Sequence, residues 1–139
     1  IIFIIDADKK QEISKKHKRI AALPGNMALE KEMYHFLSAL PETDFFWSQE
    51  LGGYNKQSCF RDFPTLTESS TITEYKQWFL DQSDNWGRGN VYLYKRWSQI
   101  NKESIKNFIM EFSVAYKQAL SKPIDKTILA EVIDAIDSL

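Results

Sequence analysis

Five consecutive apolar residues, Ile1-Ile2-Phe3-Ile4-Ile5, run directly into Asp6-Ala7-Asp8. A strand with one wet face alternates apolar and polar side chains. One that is apolar on both faces needs cover on both, as inside a parallel sheet with helices above and below. Arg19-Ile20-Ala21-Ala22-Leu23, closed by Pro24-Gly25, offers a second strand. The expectation is therefore the edge of a parallel sheet whose other strands lie upstream, this chain being the downstream part of a longer polypeptide. Between the two strands, Lys9 to Lys18 is polar and mostly basic around Ile13, which predicts a loop or a helix of one to two turns.

After Pro24-Gly25-Asn26 the pattern turns helical. Leu29, Met33, Phe36, Leu37 and Leu40 share one face of a helix over Met27 to Leu40, which Pro41 stops. Phe45-Phe46-Trp47 starts another short element. Leu51 to Ser70 mixes Gly, Asn, Ser, Pro and Thr without a period and reads as a long loop or insertion. Helices are predicted over Ile72 to Asp81, Tyr92 to Ile100, Glu103 to Leu120 and Lys126 to Leu139, with a turn at Ser83 to Asn90 and a break at Pro123. The fold class is α/β: an incomplete parallel sheet edge followed by a mostly helical C-terminal half. The expected division is an α/β part over residues 1–48, an irregular loop over 49–72 and a helical cap over 73–139.

Hydrophobic residues make up 43% and charged residues 27% of the 139, and no apolar run nears the roughly 18 residues of a membrane span. Disorder and membrane insertion are excluded as expectations. Cys59 is the single cysteine and has no internal disulfide partner, and Ile1 to Ile5 lack the charged lead and cleavage site of a signal peptide, so a cytoplasmic protein is expected. With 18 Lys plus Arg against 19 Asp plus Glu, net charge −1, any attraction for nucleic acid must be local.

Parallel sheets collect ligands beyond the carboxyl ends of their strands, which is where Asp6 and Asp8 stand. Two carboxylates of parallel reach suit Mg²⁺ or Mn²⁺, whose other positions take water and substrate phosphate. Glu30, at the start of the helix after β-strand two, supplies a third acid if that strand lies beside the first. The alternative is ordinary: an aspartate after a strand caps a turn, and Glu30 is a first-turn acid favoured by the helix dipole. The basic run, with Lys10, Lys15, Lys16 and Lys18, either contacts a nucleic-acid backbone or is a solvated loop. His17, His35 and Cys59 show no zinc-ligand spacing. Most of the tryptophans fall at helical spacing and belong to a core, whereas Trp86, in a turn, is expected to be exposed. Lys95 or Arg96 is a further phosphate contact or simply a solvent-facing residue. No G-x-x-x-x-G-K-[ST] loop occurs, and neither Gly52-Gly53 nor Gly87-Arg88-Gly89 substitutes for one.

Taken together, the strand with Asp6-Ala7-Asp8, the Arg19-Ile20-Ala21-Ala22-Leu23-Pro24-Gly25 segment and Leu29-Glu30-Lys31-Glu32-Met33-Tyr34-His35-Phe36-Leu37 resemble the Toprim region of overcoming-lysogenization-defect (OLD) type proteins. These are ABC-class ATPases with a C-terminal Toprim-like module, with relatives in bacterial antiphage systems. The resemblance covers about the first 40 residues. It implies that Asp6, Asp8 and Glu30 bind the metal of a nuclease acting on nucleic acid, most naturally DNA. It also implies that ATP is held by a separate upstream domain and that the full-length protein forms a homo-oligomer. The family's first catalytic glutamate, on an earlier strand, has no counterpart here, so this piece alone is expected to be inactive. Some relatives keep a degraded site and dock a partner nuclease. The competing expectation is an interaction module whose aromatic helical half binds a partner nuclease or a second copy of itself, for which exposed aromatics between Phe45 and Phe63 would speak. Two other D-x-D chemistries fit less well. A nucleotide-sugar transferase needs strands where this chain turns helical, and a haloacid-dehalogenase phosphatase needs a small hydroxyl residue where Lys10 stands.

Overall fold

The computed structural model describes residues 1–13, 16, 18–47, 55–86 and 90–139. Lys15, His17, Gly52-Gly53 and Gly87-Arg88-Gly89 lie outside them. The protein is mixed α/β, mostly helical, with a small parallel sheet. Strands β1 (Phe3–Ile5) and β2 (Ile20–Ala22) pair in parallel, Phe3 opposite Ile20 and Ile5 opposite Ala22. The ladder continues at both ends, where the Phe3 N–H donates to the Arg19 carbonyl and the Leu23 N–H to the Ile5 carbonyl, each at 2.9 Å. A 3₁₀ helix, Ala7–Glu12, begins the crossover, the helical of the two forms expected for that polar stretch. After β2 the chain turns at Pro24-Gly25, where Gly25 takes φ 98°, a conformation that a Cβ would disfavour.

Packing divides the chain into two compact units, Ile1–Leu29 with Ser98–Leu139, and Glu30–Trp97. This differs from the linear division at residues 48 and 72. The chain leaves the sheet and later returns to it: α5 (Lys102–Leu120) packs on β2, and α6 (Lys126–Asp137) packs on α5. The end of α6 is tied to the start of α5, with Lys102 Nζ donating to the Asp137 carbonyl at 2.9 Å and Lys106 Nζ paired with the Asp137 carboxylate. Asp125 caps α6 by accepting from the N–H groups of Thr127 and Ile128. The fully buried apolar residues of this sheet unit are small: Ala7, Ala21, Ala22, Ala28 and Ala115, with Ile136 the exception.

The second unit holds most of α1 (Leu29–Ala39), α2 (Lys56–Arg61), α3 (Ile72–Asp81) and most of α4 (Val91–Ile100). Helix α1 buries Met33, Tyr34 and Leu37, the face that the periodicity assigns. Helix α3 opens on a capping box, Thr71 and Glu74 each bonding the other's backbone. Its Trp78 lies edge-on to Tyr34 at 5.0 Å between centroids and stacks on Trp86 at 6.2 Å. Phe46 stacks on the other side of this cluster, 6.4 Å from Trp86. Trp86 is therefore fully buried, contrary to its expected exposure, because rings distant in sequence close over the turn that carries it. Helix α2 lies inside the stretch read as loop. Asn55 caps it through the Ser58 N–H, and Lys56 Nζ fastens it to the Ser38 and Leu40 carbonyls at the end of α1.

Candidate functional site

The hydrogen-bond pattern of β1 ends at Ile5, and the chain enters the 3₁₀ helix with Asp6 as its N-cap residue in extended conformation. In that position an aspartate ordinarily accepts from an N–H one turn on. Asp6 makes no side-chain cap bond; the Lys9 N–H is taken by its carbonyl, at 3.0 Å. Its carboxylate is exposed, as is that of Asp8 in the first helical turn, with Ala7 buried between them. Two exposed oxygen donors at the carboxyl end of a parallel strand suit a hard divalent cation that keeps most of its water.

The remaining expected residues are distributed differently. Glu30 is half-buried and belongs to the second unit, where it lines a cavity to which, among the described residues, no other carboxylate contributes. Among the described residues, no group of three His, Cys, Asp or Glu side chains gathers as a metal site. The basic residues are spread along the sheet, with Lys10 and Lys18 both lining one depression beside Ile20 and Ala22 of β2. Lys10 stands at the carboxyl end, where its ammonium donates to the Gly25 carbonyl at 2.7 Å and so joins the ends of the two strand connections. That bond commits the lysine to the chain's own backbone. Lys16 and Lys18 line a depression with Phe3 and Arg19 at the amino end of the strands. At about 3.3 Å per residue, the Phe3-to-Asp6 span puts some 10 Å between the two ends. Among the described residues neither Lys18 nor Arg19 is held in an ion pair.

Other sequence-level candidates prove structural. Arg96 reaches Asp44 through Nε at 3.0 Å and a terminal nitrogen at 2.8 Å, and its guanidinium lies 4.2 Å from the Phe45 ring centroid. That guanidinium holds the Asp44 carboxyl below its usual range, with the Phe46 N–H assisting against the opposing effect of burial. Cys59 is buried, and its thiol donates to Gln82 Oε1 at 3.4 Å. His35 packs edge-on against Tyr34. Of the described aromatics between Phe45 and Phe63, Phe46 and Trp47 are buried, Phe60 and Phe63 are half-buried, and Phe45 stays exposed although the Arg96 guanidinium lies over its ring.

The cavity that Glu30 lines, which no sequence pattern announces, has a volume of about 260 Å³, and its described lining lies in the second unit. Its lining comes from α1, α3, the 3₁₀ turn Ser83–Asn85 and the start of α4, elements whose juxtaposition no local pattern announces.

The chain matches no family model, no curated protein and no solved structure. Among the described residues no helix is long and apolar enough to cross a membrane.

Proposed function

We propose that this chain is a Toprim-like module of an OLD-type ATPase, taking part in metal-dependent cleavage of nucleic acid, in the setting of antiphage defence. The observation that supports it best is Asp6, an exposed carboxylate at the carboxyl end of a parallel strand that is not used to cap the turn it begins. The ordinary account of an aspartate at this place is a cap, and without one its carboxylate remains available to a ligand. In this reading Asp6 and Asp8 hold Mg²⁺ or Mn²⁺. When bound, such an ion polarises the phosphodiester and lowers the pKa of a coordinated water. The role of the two carboxylates is to orient it at the strand end, while Lys16, Lys18 and Arg19 attract the flanking backbone. Lys10, tied to Gly25, contributes mainly to the shape of the strand end. ATP is bound elsewhere in the full-length protein, which acts as a homo-oligomer on DNA.

Exposed apolar side chains of the sheet unit, Val114 and Ile128 among them, favour a second reading, a docking module for a partner nuclease. The two separate in one experiment. Full-length protein is incubated with plasmid and single-stranded DNA in Mg²⁺ or Mn²⁺, alongside the Asp6→Ala, Asp8→Ala double variant. Cleavage by wild type that falls at least a hundredfold in the variant supports the nuclease reading. An inactive wild type, with the variant still supporting assembly and phage resistance, transfers the proposal to docking.

A further inference from the structure

The cavity of the second unit combines an apolar floor with unused polar groups. Met33, Phe79 and Leu93 line it and are themselves buried. Around them stand Glu30, Lys76, Ser83, Asn90 and Tyr94. Among the described residues, none of these polar side chains takes part in a hydrogen bond or ion pair within the protein. For Glu30 this matters most, because it is half-buried at the cavity wall and its carboxylate is left open to a donor from a ligand. Asn90 adds a second unusual feature. It adopts φ 59°, a left-handed conformation that non-glycine residues seldom take outside constrained places.

Opposite charges at one apolar cavity define the ligand's chemistry. Glu30 calls for a hydrogen-bond donor and Lys76 for an anion, and the floor of Met33, Phe79 and Leu93 calls for a flat or apolar body between them. The volume of about 260 Å³ lies at the small end of ligand cavities and limits the occupant to one compact unit. A peptide helix or a dinucleotide exceeds it.

We propose that this cavity binds one nucleotide unit bearing an exocyclic amine. The base lies on Met33, Phe79 and Leu93, its amine donates to Glu30, and its phosphate faces Lys76. The choice of a nucleotide among amine-bearing anions rests on the nucleic-acid reading above. Carboxylate recognition of an exocyclic amine is the pairing that acidic side chains make with cytosine N4. Thymine and uracil offer no such amine and are disfavoured. The unit has two sources, a free mononucleotide or an unstacked residue of a single strand.

Calorimetric titration without divalent metal tests the site, using CMP, UMP and cytidine in one arm and short oligo-dC and oligo-dT in the other. CMP is expected to bind about tenfold more tightly than UMP, the usual weight of a hydrogen bond to a charged group. Glu30→Gln should bring the two within about twofold, because an amide donates as well as accepts. Lys76→Ala should abolish the preference of CMP over cytidine while cytidine binding persists. Tyr94→Phe, which removes one hydroxyl and little volume, keeps the site testable if Glu30→Gln fails to fold, and a severalfold loss of CMP affinity is expected. Discrimination in the oligonucleotide arm alone, equally sensitive to Glu30→Gln, identifies the strand residue as the source. Equal binding of amine-bearing and amine-free bases in both arms, or no binding in either, overturns the proposal. The outcome is independent of the cleavage assay: CMP selectivity without Asp6- and Asp8-dependent cleavage sinks the nuclease reading alone, and the converse result sinks this site alone.

Discussion

The two units bury very different side chains. In Glu30–Trp97 the core is Tyr34, Leu37, Phe46, Trp47, Tyr75, Trp78, Phe79, Trp86, Leu93 and Trp97. In the sheet unit the buried residues are chiefly alanines, while Phe3, Ile4, Met110, Val114 and Ile128 are exposed. Apolar area removed from water stabilises at roughly 25 cal/mol per Å², and an indole or phenol ring supplies several times the area of a methyl group. The second unit thus carries its own stability. In the sheet unit, alanines let α5 approach β2 closely, but the larger side chains lie half-covered on α5 and α6.

Truncating one ring in each unit is the most forceful way to break this comparison. Trp86→Ala removes a side chain with 0% exposure that contacts Phe46, Trp78 and Phe79 rings. It is expected to cost about 3–5 kcal/mol in urea denaturation at pH 7. Phe108→Ala on α5, a half-buried ring, is expected to cost about 1–2 kcal/mol. Equal losses would mean that the sheet unit gains burial in solution through association, which sedimentation of the same samples would show.

Both what could be read and what could not are explained by the range of the interactions involved. Strands β1 and β2, the face of α1 and the bounds of α3 followed from patterns within a few residues, and α3 is reinforced by its Thr71–Glu74 capping box. Helix α2 has six residues and no period of its own; its fastening is Lys56 to the end of α1 and Cys59 to Gln82, both distant in sequence. Asn55 with Ser58 was the only local signal for it. Trp86 was misjudged for the same reason. At the candidate site the end of β1 places Asp6, whereas Asp8 belongs to the first turn of the 3₁₀ helix that follows. Glu30 stands at the start of α1, and the cavity it lines draws its other walls from α1, α3, the turn at Ser83 and α4, which no local pattern announces. Of the basic run, Lys10 is tied to Gly25 at the carboxyl end of the strands, while it and Lys18 line one depression along β2, a placement that depends on how the crossover folds.

Within the second unit, the Arg96–Asp44 pair tests whether polar contacts add to the aromatic core. Both side chains are largely buried, at 17% and 12% exposure. Arg96→Ala or Asp44→Asn is expected to cost about 2 kcal/mol at pH 7, the scale of hydrogen bonds to a charged group. The sign of the pH dependence follows from the lowered Asp44 pKa. Folding favours the ionised carboxylate, so the contribution is complete above the ordinary value of 3.8 and drains away as pH falls through the lower folded value. The gap between wild type and Asp44→Asn should therefore narrow only below about pH 3.8, as seen in urea midpoints taken across that range. A constant gap would place the cost in packing against Phe45.

The smallest expected effect sharpens the contrast inside the sheet unit itself, between two aspartates that stand at helix starts. Asp125 accepts from Thr127 N–H at 2.8 Å and Ile128 N–H at 3.3 Å, so Asp125→Ala should cost about 1 kcal/mol. Asp6 occupies the equivalent place without such a bond, so Asp6→Ala should shift stability by no more than about 0.5 kcal/mol. Denaturation midpoints of the two variants, with and without Mg²⁺, check this. Under the metal reading, Mg²⁺ stabilises wild type and the Asp125 variant by the same increment, because a ligand of the folded state adds to stability by mass action. The Asp6 variant should lose that increment while keeping its metal-free midpoint. If Asp6→Ala instead costs as much as Asp125→Ala without metal, its carboxylate is supporting the turn, and the principal argument for cleavage chemistry at this strand end fails.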